Sequence, residues 1–181
     1  MEKSNHIILQ TENWLKRVVI ALNFCPFASK PVREKSIHYE VIEKADLNIA
    51  LQSLIKTCMK MDNEIKIDTA LIIFPNQFPI FDTYLELVDL SEALLKKEGY
   101  EGLYQVASFH PLYQFAGSDK NDAENYTNRS PYPMLHLLRE DQIENVLKKY
   151  PNPETIPEKN ISTAKQLGLE KMKKMWEDSF K

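Results

Sequence analysis

Glycine is scarce in this chain, with four residues among 181, at positions 99, 102, 117 and 168. Walker-type phosphate loops and dinucleotide fingerprints need several glycines close together, because only a backbone free of Cβ atoms can approach a phosphate so closely. Nucleotide chemistry of a familiar motif class is therefore excluded. Cysteine is scarcer still. Cys25 and Cys58 are too few for a disulfide framework or an all-cysteine zinc site, and they suit a reducing, cytoplasmic compartment. No apolar run reaches the roughly 18 residues that a membrane-spanning helix requires. The N-terminal residues run into an amphipathic segment rather than a secretory apolar region. Basic charge is lacking too: the net charge of -3 gives no electrostatic case for nucleic acid. The lysines at 165, 171, 173 and 174 are interleaved with Glu170, Glu177 and Asp178, the pattern of a solvated helical face. The expectation is a cytoplasmic protein that engages neither nucleic acid nor a membrane.

What is present suffices for one globular domain, residues 1–181, with a substantial core. Ile8, Thr11, Leu15, Val18 and Leu22 share a helical face widened by Trp14 and Val19, and the prolines at 26 and 31 end that helix. Ile37–Ile42 alternates as a strand. Leu47, Ala50, Leu51, Leu54, Ile55 and Cys58 form a second helical face with Asp46 placed to cap it. Thr69–Phe74 is a short apolar run stopped by Pro75, the mark of a buried strand. Asp82 can cap a third helix, which Gly99 closes in the left-handed conformation. Leu103–Phe109 and Met134–Leu138 are the third and fourth strands, followed by a short helix through Val146. After Pro151 and Pro153, the series Thr155-Ile156-Pro157-Glu158 has the form of a capping box opening a last helix.

Alternating strands and helices define an α/β fold, with α+β as the alternative: one mixed sheet of about four strands in the order α-β-α-β-α-β-loop-β-α-α. The fourth strand follows a loop rather than a crossover helix and so should run antiparallel to the third. Ligands of open α/β sheets collect beyond the carboxyl ends of the parallel strands. Those ends carry Asn76-Gln77 and His110-Pro111, and an antiparallel fourth strand brings Asn128-Arg129-Ser130 to the same edge.

The segment from Phe109 to Glu140 supplies the candidate site. It combines two of the four histidines, an acidic run (Asp119, Asp122, Glu124), aromatic residues and the stiff sequence Asn128-Arg129-Ser130-Pro131-Tyr132-Pro133. A loop this long inside a compact domain is functional or disordered, and its aromatics and prolines argue for order. Arg129 is suited to fork onto a carboxylate or phosphate, with Asn128, Ser130 and Arg139 as further ligand-binding candidates. The competing reading pairs Arg129 with Asp119, Asp122 or Glu124 to staple the loop. His110, directly after a strand, is the acid–base candidate, whereas His136 lies mid-strand and reads as a core residue. Cys25 is a candidate nucleophile if Pro26 begins a helical turn, since the turn's N–H groups would then lower the thiol pKa. Imidazole and carboxylate from His110, Asp119, Asp122 and His136 could suit a metal, but no tight ligand motif is present and Asp119-x-x-Asp122 is also ordinary turn chemistry. Metal and cofactor are left open.

Cys25-Pro26-Phe27-Ala28, together with Thr127 to Pro133 and Leu135-His136-Leu137-Leu138-Arg139-Glu140, resembles the bacterial domain-of-unknown-function family 1415 over nearly the whole chain. The resemblance implies a single cytosolic bacterial domain and brings no catalytic residue. Relatives are expected to carry arginine where this chain has His38. The sequence thus points to a small-molecule enzyme or binder for an anionic ligand held in the 109–140 region. The alternative is a non-catalytic interaction or homodimerisation module that uses the aromatic residues Tyr113, Phe115, Tyr126 and Tyr132.

Overall fold

The computed structural model describes residues 2–148 and 150–181. Four strands, β1 (Ile37–Val41), β2 (Thr69–Ile73), β3 (Tyr104–Phe109) and β4 (Met134–Arg139), form one mixed sheet in the order β1-β2-β4-β3. β1 and β2 are parallel, while β4 runs antiparallel to both β2 and β3. The expected α/β class and the antiparallel fourth strand are both observed. The sequence did not show that β4 inserts between β2 and β3.

Helices α3 (Leu47–Asn63) and α4 (Phe81–Lys97) connect β1 to β2 and β2 to β3. Both pack on the same face, where Leu54, Cys58, Met61, Tyr84, Leu87 and Leu95 meet Ala70, Ile72, Leu135 and Leu137. That placement follows from strands that advance in one direction across the sheet, since crossovers of one hand put their helices on one side. α1 (Glu2–Trp14) with its π-helical continuation Leu15–Ile20, α6 (Ile156–Leu167) and α7 (Leu169–Glu177) cover the other face. There Ile7, Trp14, Val18, Ala164 and Met172 pack with Leu71, Ile73 and Met134. All five β2 residues are buried, because this central strand has helices on both faces. Two short helices, α2 (Ser29–Glu34) and α5 (Glu140–Leu147), and 3-10 segments at Ala123–Thr127, Pro153–Thr155 and Asp178–Phe180 make up the remaining elements.

Local signals held in part. Asp46 accepts a hydrogen bond from Ile49 N at 2.8 Å and caps α3, a contribution of about 1 kcal/mol. Gly99, at φ +80°, ends α4 with Tyr100 N bonded to Leu95 O. Asp82 does not cap α4: that helix starts at Phe81, so Asp82 falls in its first turn, where its charge still suits the helix dipole. The capping box at Thr155 does not form. Thr155 belongs to a 3-10 turn and its hydroxyl bonds Asn152 O. The expected single last helix is split into α6 and α7 at Gly168, where φ is +77° and ψ 161°.

Candidate functional site

The segment between β3 and β4 arrives at the carboxyl edge of β1, β2 and β3, because Phe109 is paired with Met134 and Phe74 N donates to Pro133 O. It is ordered by its own side chains. Asn125, fully buried, accepts hydrogen bonds at Oδ1 from Phe115 N and Ser118 Oγ and donates through Nδ2 to Asp119 O at 2.8 Å. Asp122 accepts from Asp119 N, and Asp119 from Asn121 N, so these carboxylates do turn chemistry. Glu124 pairs with Lys165 of α6 at 2.7 Å. Below the loop, the Tyr84 hydroxyl stands between the strands, accepting from Phe109 N at 3.0 Å and donating to Met134 O at 2.8 Å. Neither Asn125 nor Tyr84 was singled out from sequence, since an asparagine in a polar loop and a tyrosine on an apolar helix face carry no local mark of such roles.

Arg129 bridges the loop's two limbs. Its Nε donates to Tyr113 O at 3.1 Å and its Nη2 to Lys120 O at 2.7 Å, while the guanidinium carbon lies 4.6 Å from the Tyr126 ring centre. The expected staple to Asp119, Asp122 or Glu124 is replaced by backbone carbonyls. Among the described residues Arg129 has no carboxylate within ion-pair distance, and its Nη1 has no hydrogen-bond partner. A fixed, cation–π-stacked guanidinium thus keeps its full charge and a free pair of donors.

The other candidates at this edge are turned inward. The Ser130 hydroxyl, fully buried, donates to Tyr132 O at 2.6 Å, and Ser130 O receives Trp176 Nε1 at 3.0 Å. Asn128 accepts the Thr127 hydroxyl at Oδ1 and His110 N at its carbonyl, with Nδ2 3.4 Å from Ser108 O. His110 is fully buried among Phe81 and Tyr84. Its Nδ1 accepts from Leu112 N at 2.9 Å, so Nε2 carries the proton and donates to Phe78 O at 2.8 Å. Burial lowers its pKa, a shift that the hydrogen bond to Phe78 only partly offsets. Arg129 and His110 therefore share an edge, but the imidazole is neutral with both nitrogens engaged.

Cys25 and Arg139 lie elsewhere. Cys25 heads the turn leading into α2, with the N–H groups of Phe27 and Ala28 lowering its pKa as the sequence suggested, yet burial outweighs them and the thiol is raised overall. It packs, half-buried, against the core on the α1 face, away from His110, and no histidine among the described residues bonds to it. Arg139 stands at the opposite end of β4. It donates to Ile67 O and Met61 O and, through Nη1, to the Tyr104 hydroxyl at 3.1 Å, closing the end of α3. Arg139 therefore cannot join Arg129 on one ligand: β4 runs about 17 Å between the two edges at ~3.3 Å per residue. His136 Nε2 bonds Thr69 Oγ1 at 2.7 Å inside the sheet, and burial pushes its pKa down to about 4. The metal set considered from sequence is not assembled: among the described residues no three His, Cys, Asp or Glu side chains gather as a group able to hold a metal ion. His38 pairs with Glu40 at 3.0 Å on the outer strand β1.

The architecture defines an α/β protein with a mixed four-stranded sheet between two helical layers and an ordered, arginine-stapled loop at its carboxyl edge. Residues 6–174 match the family model described as "Protein of unknown function (DUF1415)", and the chain belongs to that family. No curated protein and no solved structure matches it. No helix of the described residues is long and apolar enough to cross a membrane.

Proposed function

We propose that the chain is a binding protein whose carboxyl-edge loop presents Arg129 to a small anionic ligand. The observation that carries this reading is the uncompensated guanidinium: two backbone carbonyls and the Tyr126 ring fix it, while Nη1 is left free. A guanidinium held this way recognises a carboxylate or phosphate with little ordering cost. Asn128 and Ser130 serve the site by shaping the loop rather than by reaching out. Binding is favoured over acid–base catalysis, because His110 would have to leave both of its partners to exchange a proton. The test is a thermal-shift screen with inorganic phosphate, sulfate and citrate against sodium chloride at matched ionic strength, on the native protein and Arg129→Ala. At a hundredfold excess over Kd, a bound anion should raise Tm by about 5 °C or more, and the rise should vanish in the variant. An equal rise in both proteins, or none with any anion, overturns the reading.

A second reading, a protein-interaction module, is favoured by the surface beside the same loop. His110 ties the turn bearing Ile80 to the turn bearing Leu112, and these two side chains are 62% and 58% exposed. Near them in the chain, Phe81, Tyr113 and Phe115 meet at tilted and edge-on angles, with successive ring centres about 5 Å apart. An apolar rim on a rigid aromatic base suits a partner surface. Pull-down with the native protein and with Ile80→Asp/Leu112→Asp separates this reading from the first, since anion binding should survive the double substitution.

A further inference from the structure

The sheet ends in an open strand. β3 is an edge strand paired only with β4, and the register shows which of its backbone groups face outward. Glu140 N donates to Leu103 O, one step beyond the Tyr104–Arg139 pair. Antiparallel pairs alternate, so Gln105 and Ala107 also bond across to β4, while Tyr104, Val106 and Ser108 turn their N–H and C=O groups away from it. Two contacts agree. Tyr104 N donates outward to Tyr100 O, and Ser108 O faces Asn128 Nδ2. Between these two stoppers lie Tyr104 O, both polar groups of Val106 and Ser108 N, for which no partner appears among the described residues. Such a row is a template for another strand.

Alongside this row runs an open groove of about 510 Å³ between α4 and β3. Its lining includes Asp89, Glu92, Glu101 and Glu140, and its one cation, Lys96, is already paired with Glu101 at 3.0 Å. Asp89, Glu92 and Glu140 have no cationic partner among the described residues. The residues of an added strand that lie beside Val106 point into this groove, and they recur every second position.

We propose that the β3 edge binds an extended peptide segment of a partner protein that carries lysine or arginine at alternate positions, adding it to the sheet as a fifth strand. Backbone pairing with Tyr104, Val106 and Ser108 supplies the hold, and Asp89, Glu92 and Glu140 select basic side chains. A second copy of this chain does not fit the same place, since pairing β3 with β3 would bring two acidic grooves together.

The test uses the full chain and a fluorescein-labelled peptide of alternating lysine and valine, eight residues long, read by fluorescence anisotropy. The native protein should bind it and should ignore the alternating glutamate–valine peptide and the backbone N-methylated lysine–valine peptide. Asp89→Asn/Glu92→Gln, two exposed positions of α4, should weaken binding about five- to tenfold. Hydrogen exchange at the Val106 and Ser108 amides should slow on binding. No binding at millimolar peptide, equal binding of the N-methylated peptide, or unchanged exchange at those two amides overturns the proposal.

Discussion

His110 donates a 2.8 Å hydrogen bond to the carbonyl of Phe78, a residue held at φ +55°. This contact locks the turn after β2 to the start of the β3–β4 loop, and it requires a neutral imidazole only at Nδ1, which accepts from Leu112 N. Protonation would break that second bond inside a buried aromatic cluster.

Two histidines, His110 fully buried and His136 half-buried in the sheet, contribute to the acid side of the stability profile. Burial lowers the pKa of His110 and takes His136 to about 4, both below the ordinary value near 6.5. The unfolded chain therefore binds more protons in this range, so stability is fully present above about pH 6.5 and is lost as pH falls toward the folded pKa. From pH 7.5 to pH 5, His136 alone should contribute a loss of about 2 kcal/mol. Urea denaturation at the two pH values should show this loss, and His136→Gln should flatten it. A native protein equally stable at both would contradict the assignment.

Tyr84→Phe removes the hydroxyl that links Phe109 N to Met134 O. Both groups would be left buried and unpaired, so the variant should lose about 1–3 kcal/mol in chemical denaturation. A change below ~0.5 kcal/mol would mean that the two strands close up to pair directly.

Cys25 should be a slow thiol. Burial outweighs the two N–H groups that stabilise its thiolate, so labelling by a disulfide reagent at pH 7.5 should run at least about tenfold slower in the native protein than in urea. Rapid labelling of the native protein would restore the nucleophile reading.

Arg139 should matter for stability and not for anions. Its guanidinium closes the end of α3 through Met61 O and Ile67 O, and Arg139→Ala should cost about 2–4 kcal/mol by leaving those carbonyls and the Tyr104 hydroxyl oxygen, which itself donates to Asp62, without their donor. Its Tm rise with phosphate should equal that of the native protein. Loss of that rise would place Arg139 in ligand binding after all.

Much of the frame could be read from local pattern. The apolar run at 69–73 is the central strand because it is buried on both faces, and Asp46 and Gly99 bound their helices as short-range chemistry dictates. Strand order could not be read in the same way. The insertion of β4 between β2 and β3 depends on contacts between residues such as Leu71 and His136, 65 positions apart. The site divides along the same line. The carboxyl-edge address of Arg129 followed from strand direction. Its backbone partners Tyr113 and Lys120, and the removal of Arg139 to the far edge, depend on how the loop folds on itself. Thr155 shows the limit of motifs: its cap was taken over by the preceding turn.

The proposed role of Arg129 is to offer its free guanidinium edge to an anion. The most direct measurement is an NMR titration of the native protein with inorganic phosphate, following the guanidinium N–H signals of Arg129 and the backbone amides of residues 113–130. The expected result is a saturable shift centred on Arg129, with no corresponding shift at Arg139 and none in the loop of Arg129→Lys. Signals of Arg129 that stay in place while phosphate reaches tens of millimolar would contradict it.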